Sequence, residues 1–327
     1  MRARSWVLPL LSSVVLAALL LAAGVPAPPA MGAASTGARP AGSAGDRAAG
    51  GLKVRVMTFN IRHGTDEDDD LDLESVADDI ESAKAQIVGL QEVDRHRSAR
   101  SNFVDQAKWL ARRLDMQFAF GLNRKIPPQG GRKKPGLHGV VVLSKFPILS
   151  ARNHMLTNIR YAKRPTKQRS MLEVVIDIKG TKISFYNTHL DNQRSEQRQS
   201  QVKEILAVAR RSNRPSILVG DFNAGASSPE MRLVKTRFTD VVAKLGEEED
   251  TFPYEDPDRR IDYILTWGQV AARWAEVIDT GSSDHMPVLA GLTIAKSAPP
   301  PKAGTVPKPA PAQPVPPRIK PSGPVWF

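Results

Sequence analysis

Residues 217–224 read ILVGDFNA: three apolar side chains and a glycine, then Asp221 and Asn223 with Phe222 between them. The run is short, apolar and bounded by Gly220, which predicts a buried strand ending at the carboxylate. Taken alone, Asp221 would read as a turn former, because an Asp side chain readily hydrogen-bonds the backbone two residues on. A carboxylate and an amide delivered from one buried strand end raise the question of what else arrives there.

Working outward, apolar runs with strand character alternate with amphipathic segments. Strands are expected at 54–61, 87–90, 140–143, 172–178, 183–187, 217–219, 261–265 and 288–294, and helices at 73–83, 104–114 and 196–211. Asp and Glu crowd the start of the first helix, where the helix dipole favours them. This alternation predicts an α/β layered protein with a single core. Asn60, Glu92, His189, Asp221 and Asn223 then fall near the carboxyl ends of expected strands, while Asp262 and the pair Asp284 and His285 fall at or before the starts of two others. A sheet with some antiparallel strands brings both sets to one edge.

Four acids, two amides and two histidines in that group, with no thiolate, suit a hard divalent cation: Mg²⁺, Mn²⁺ or Ca²⁺. Such an ion neutralises phosphate oxygens while a neighbouring base prepares a water, so the composition of the site points to phosphoryl chemistry.

Six stretches in this order carry a family resemblance: MTFNIRHG (57–64), VGLQEVD (88–94), NTHLD (187–191), GDFNA (220–224), RIDYIL (260–265) and SDHMPV (283–288). Together they resemble the endonuclease/exonuclease/phosphatase superfamily of metal-dependent phosphoesterases, from about Lys53 to about Ile294. The resemblance implies a deoxyribonuclease I-like fold, a two-layer β-sandwich of mixed sheets flanked by helices. It also implies Glu92 as principal metal ligand, with Asn60 beside it and Asp284 assisting. Asp221 would orient or deprotonate the attacking water, Asn223 would position it, His189 would contact the phosphate, and His285, steadied by Asp262, would contact phosphate or transfer a proton. Val140 stands where many relatives carry an amide.

Composition bounds the setting. The chain has 327 residues, 41% of them hydrophobic, and no Cys, which excludes disulfides, thiolate catalysis and Cys-type zinc sites. Arg2 and Arg4 precede an apolar run from Trp6 to Ala23, followed by small residues and prolines, the pattern of a cleaved export signal. The expected organisation is a signal peptide over 1–31, a flexible linker over 32–51, a catalytic domain over 52–296 and a disordered Pro-rich tail over 297–327. The protein is therefore expected to be secreted or associated with the cell envelope, with no membrane span after cleavage, no protein partner, and a tail acting as a spacer near a cell wall.

A formal net charge of +12 suits an anionic partner. Basic residues concentrate in the stretches 123–136 and 160–169, so Arg132, Lys133, Lys134 and Arg169 are candidate contacts to a phosphate backbone. Tyr161 is the single aromatic in these stretches, so base stacking is not indicated. A nuclease is the first reading. A sphingomyelinase-like or small-molecule phosphodiesterase is the second, and a non-catalytic polyanion-binding envelope protein the third. The acidic run DEDDDLDLE (66–74) lacks the spaced ligands and central Gly of a calcium loop and reads as a solvated lead-in to a helix. His63, His96, His138 and His154 read as surface or supporting groups, and Arg198 as either a phosphate contact or an ordinary ion-pair partner.

Overall fold

The structure, a computed structural model, describes residues 51–246 and 249–296. The expected signal peptide, residues 32–50 of the linker and the tail lie outside the described residues. Twelve strands run in chain order as β1 (Leu52–Asn60), β2 (Ile87–Arg95), β3 (Gln117–Ile126), β4 (Gly136–Ser144), β5 (Ile148–Met155), β6 (Ser170–Ile178), β7 (Thr181–His189), β8 (Ser216–Asp221), β9 (Thr239–Asp240), β10 (Asp262–Trp267), β11 (Val270–Val277) and β12 (Val288–Ile294). Helices α1 (Leu73–Ser82), α2 (Gln106–Arg113), α3 (Ser195–Ala209), α4 (Pro229–Val234) and α5 (Val241–Leu245) lie between them.

The strands form two six-stranded sheets, ordered β11-β12-β1-β2-β4-β3 and β5-β6-β7-β8-β10-β9. Each is antiparallel except for one central parallel pair, β1 with β2 and β7 with β8. A parallel pair needs a long crossover, and α1 and α3 lie in those connections. This is the two-layer sandwich of mixed sheets, flanked by helices, that the sequence led us to expect.

Strand period two sorts the core into layers. Val54 and Val56 of β1, Ile183 and Phe185 of β7, and Ile217 and Val219 of β8 face the space between the sheets. Their neighbours Met57 and Phe59 pack outward against Val76, Ile80 and Leu110 of α1 and α2. On the other side, Tyr186 and Leu218 pack against Val202, Ile205 and Leu206 of α3. Val140, at the position where relatives were expected to carry an amide, lies in this inter-sheet core and away from solvent.

The sheets approach so closely that a Cβ on Gly89 would lie 2.4 Å from Val219 Cγ2. Similarly, a Cβ on Gly220 would lie 2.1 Å from the Thr188 carbonyl oxygen, which is why the strand β8 has glycine just before Asp221. At the start of α1, Asp72 accepts hydrogen bonds from the backbone N–H groups of Glu74 and Ser75, and from the Ser75 hydroxyl. The acidic run is thus a lead-in to a capped helix, as its composition predicts.

Two outcomes follow. Gly89→Ala should lower unfolding free energy by about 1–3 kcal/mol, because the added methyl overpacks the inter-sheet core; urea denaturation measures it. Asp72→Ala should cost about 1 kcal/mol at neutral pH through loss of the cap. The hydrogen bonds from Ser75 hold the Asp72 carboxyl below its ordinary value, outweighing burial. Its contribution is therefore present above the unfolded-state pKa and fades as pH falls through the lower folded value, so the difference between the two proteins should vanish in acid.

Candidate active site

Strand register assembles the site before any loop contributes. His189 of β7 pairs with Asp221 of β8, and Asp221 pairs with Asp262 of β10. The three side chains therefore form one row across adjacent strands, on the face that carries Phe185, Val219 and Ile264 deeper in the sandwich. From the opposing sheet, Asn60 ends β1 on the same inward-facing set as Val54 and Val56. Its Nδ2 donates to Asp221 Oδ2 at 3.0 Å and lies 3.3 Å from His285 Nε2.

Asp221 uses its two oxygens differently. Oδ1 accepts the Asn223 backbone N–H at 2.8 Å, closing a turn that sets Asn223 at φ 50°. Oδ2 faces the site, 3.3 Å from His189 Nε2 and 3.9 Å from His285 Nε2. One oxygen of this aspartate thus closes the turn, and the other faces Asn60, His189 and His285. Asn223 in turn donates from Nδ2 to the Leu190 carbonyl.

His285 Nδ1 lies 2.9 Å from Asp262 Oδ2, which also accepts the Thr251 hydroxyl at 2.7 Å. Phe252 stacks obliquely on the imidazole, with ring centroids 4.5 Å apart. Burial opposes a charge on His285, but Asp262, Asp221 and Asp284 overcome it and raise the pKa to about 9. Burial and the Asp262 charge push Asp221 up to about 7 against the pull of His285. His189 goes the other way, held well below its ordinary value by burial and by Arg169 and His285.

Glu92 reaches the site by an irregularity. The β2–β4 ladder breaks between Leu90 and Val93, and Glu92 sits in that bulge at φ 59°. Bulges re-aim side chains beside active sites at a backbone cost. The carbonyls of the last regular pair, Leu90 and Val141, both accept hydrogen bonds from Asn187 Nδ2 of the other sheet, at 2.9 and 2.7 Å. Asn187 Oδ1 accepts from Gln91 Nε2 at 2.8 Å, and Gln91 also donates to Thr58. A buried polar layer thus separates the apolar core from the site.

The donor set fits a hard divalent cation. The Glu92 carboxylate takes no hydrogen bond or ion pair from the described residues. Burial opposes its ionisation, yet His138, Arg169 and Lys167 hold it below its ordinary range. The Asp284 carboxyl is pushed up by burial, and the Glu92 charge adds to that. Glu92 and Asp284, two carboxylates that repel each other electrostatically, form with the Asn60 amide an oxygen-rich set that a cation would relieve. Asp221, Asp262 and His285 also offer ligand atoms within 4.8 Å of one another. In that group Asp262 Oδ2 already holds the imidazole and the Thr251 hydroxyl, while Asp262 Oδ1 has no partner.

The structure therefore brings Asn60, Asp221, Asn223, Asp262 and His285 into one hydrogen-bonded group, with His189 Nε2 3.3 Å from Asp221 Oδ2 and Glu92, Asp284 and Arg169 electrostatically linked to it. Arg169 is 2% exposed, and its Nε is buried with no hydrogen-bond partner. Arg132, Lys133 and Lys134 are exposed, and no contact among the described residues joins them to the site; Arg132 lies over the Phe103 ring. Arg198 is an ion-pair partner of Glu230. His138 is buried against Asp94, whose carboxylate also holds Arg97 and Arg100. Sequence reasoning missed Arg62, Arg124, Thr251 and the Asn187 layer; the one available signal was the basic stretch that ends in Lys167 and Arg169.

Comparison with known families matches residues 57–285 to the Endonuclease/Exonuclease/phosphatase family. A comparison with curated proteins finds no match. Among solved structures, an endonuclease/exonuclease/phosphatase from Beutenbergia cavernae aligns with TM-score 0.62 and 24% identity, over 74% of this chain and 72% of that one. The human Nocturnin catalytic domain, solved with a bound sulfate anion, aligns with TM-score 0.58 and 19% identity, over 74% and 94% of the two chains. D. rerio TDP2, complexed with a single strand DNA product, aligns with TM-score 0.54 and 19% identity, over 73% and 98%. At these identities the likeness is one of fold.

Asn187→Leu keeps most of the volume but takes the Asn187 donor from two buried carbonyls and leaves the Gln91 amide only Thr58 and Gly89 as acceptors. It should lower stability by about 2 kcal/mol or more, each buried orphan costing about 1–3 kcal/mol. Urea denaturation checks this, and an unchanged midpoint would remove the polar layer from the account.

Proposed function

The chain belongs to the endonuclease/exonuclease/phosphatase family, whose members are hydrolytic phosphoesterases, and from that premise we propose an exported, divalent-metal-dependent phosphodiesterase whose substrate is nucleic acid. The observation that carries the reading is Arg169: a buried guanidinium that makes no hydrogen bond or ion pair among the described residues, its Nε sealed from solvent, within the electrostatic reach of Glu92 and Asp221. A buried unpaired cation is costly, and a phosphate anion is the group that relieves it. Export is supported by the N-terminal pattern of Arg2, Arg4 and the apolar run from Trp6 to Ala23.

In this reading Glu92, with Asn60 and Asp284, would hold a divalent cation, which when bound would supply charge neutralisation at the phosphate oxygens. Asp221 Oδ2 and Asn223 hold the attacking water in line with the phosphorus, and Asp221 accepts its proton. Asn60 Nδ2 lies against Asp221 Oδ2 and fixes that carboxylate's orientation. His189 and His285 contact the phosphate from the two sheets, with His285 aligned by its Nδ1 bond to Asp262. Arg169 closes the anion site from the side. The new bond joins the water oxygen to phosphorus, the bond from phosphorus to the departing alkoxide breaks, and a proton passes to that alkoxide to complete the alcohol.

Glu92→Gln and His285→Ala should each cut turnover of bis-p-nitrophenyl phosphate by about a hundredfold or more, the scale of losing one preorganised electrostatic contact. Circular dichroism should stay unchanged, and EDTA should abolish wild-type turnover until Mg²⁺ or Mn²⁺ is restored. Full turnover in both variants at saturating metal would refute the site.

A further inference from the structure

The charges around the site are divided between its two sides. On the Glu92 side stand Arg124 of β3, Lys167 and Arg169. Ser170 Oγ donates to Asn123 Oδ1 at 2.7 Å, tying β3 to β6 at the positions next to Arg124 and Arg169. The Nε atoms of Arg124 and Arg169 are buried without partners, and none of the three side chains makes an ion pair or hydrogen bond among the described residues. Burial lowers the pKa of Lys167, with Arg169, Arg124 and Arg100 adding to the effect against Glu92. The nearby guanidiniums of Arg97 and Arg100 are already committed to Asp94.

On the Asp284 side the sign reverses. Glu67 N–H donates to the Gly281 carbonyl, and Tyr254 N–H donates to the Asp284 carbonyl, so the acidic loop and residues 254–255 border the same stretch of chain. Burial and the charges of Asp68, Glu255, Asp66 and Asp279 raise the Glu67 carboxyl. The cation on this side, Arg62, is shared between Asp69 and Asp284 at 2.6 and 3.6 Å.

A nucleic-acid strand carries one negative charge per nucleotide. Running through the site, it would set phosphates against free cations on one side and a carboxylate cluster on the other. Like charges repel, more strongly near a protein surface than in bulk water. We propose that the site acts at the end of a phosphodiester chain, with the scissile phosphate at Asn60, Asp221 and His285 and the one flanking phosphate held by Arg124 and Lys167 beside Arg169. The step is the same hydrolysis, and it releases a terminal unit while nothing charged extends past Asp284. This rests on the phosphodiesterase reading above.

The test compares linear single-stranded DNA with a closed single-stranded circle of similar composition, using bis-p-nitrophenyl phosphate as a control that has no flanking phosphate. The linear strand should be shortened from an end, and the circle cut about tenfold more slowly or worse, the scale of one uncompensated charge contact. Arg124→Gln/Lys167→Gln should raise KM on the linear strand about tenfold more than on the control diester, and Arg124→Lys/Lys167→Arg should restore it. Neutralising the other side with Glu67→Gln/Asp68→Asn/Glu255→Gln should raise cutting of the circle.

Equal rates on circle and linear strand overturn the proposal, as does an unchanged KM in the double glutamine variant. Turnover of the control diester with no attack on the linear strand also overturns it, leaving the phosphodiesterase reading intact. No turnover of the control diester would overturn the phosphodiesterase reading, and this inference with it.

Discussion

Asn187 bridges the two sheets at the depth where the apolar core ends. Its amide nitrogen takes two carbonyls from the opposing sheet and its oxygen takes the Gln91 amide. Those carbonyls flank the break in the β2–β4 ladder, and that break turns Glu92 toward the site. A buried carbonyl without a donor is expensive, so a bulge in the middle of a sandwich needs a partner from outside its own sheet. Asn187 is that partner. Remove the bridge and the bulge has no compensation; remove the bulge and Glu92 returns to ordinary alternation, in which Gln91 takes the inward position and Glu92 points away.

The same logic governs the layer above. Asp221, Asp262, His189 and His285 are all nearly sealed from solvent, and a group of ionisable side chains at that depth is stable only when each charge finds a partner. Asp262 reaches that condition with His285 and Thr251, and Asp221 with Asn60 and Asn223. Three buried atoms of this layer stay unsatisfied: Asp262 Oδ1, His189 Nδ1 and Arg169 Nε. Together with the left-handed backbone at Glu92 and Asn223, they concentrate the unfavourable terms at the open end of the sandwich, while the β-branched layer beneath carries the stability.

Every strand expected from the apolar pattern is present, and each lies inside a sheet with a paired strand on both sides. The strands that the pattern missed are β3, β5, β9 and β11, the four sheet edges. The reason is physical. An edge strand is half solvated and carries charges that prevent pairing with other chains, so β5, with Arg152 and exposed Leu149, lacks the clean alternation of a buried strand. The site divides the same way. Asn60, His189, Asp221 and Asp262 were legible because period two and strand ends place them. Arg124 was not, because it sits on one of those edge strands and reaches the site through the approach of β3 to β6, which no local pattern encodes. Thr251 was hidden for a similar reason, being fixed by hydrogen bonds to Ile261 and Asp262 across a loop.

The net charge illustrates a limit of composition that the structure removes. A value of +12 suggests a uniform track for a polyanion, and the exposed run Arg132, Lys133 and Lys134 is where such a track would first be sought. Near the reactive centre the distribution is different: cations without partners gather beside Glu92, and carboxylates gather beside Asp284. Potential at a phosphate depends on the nearest unpaired charges, since more distant exposed ones are screened within about 10 Å at moderate salt. Arg97 and Arg100 count twice toward the total yet share the one carboxylate of Asp94, while Arg169 counts once and keeps a buried Nε with no hydrogen-bond partner. On the proposed phosphodiester substrate, the side of the scissile bond that tolerates a second phosphate would be set by this handful of side chains, and the sign of the whole chain would have little part in it.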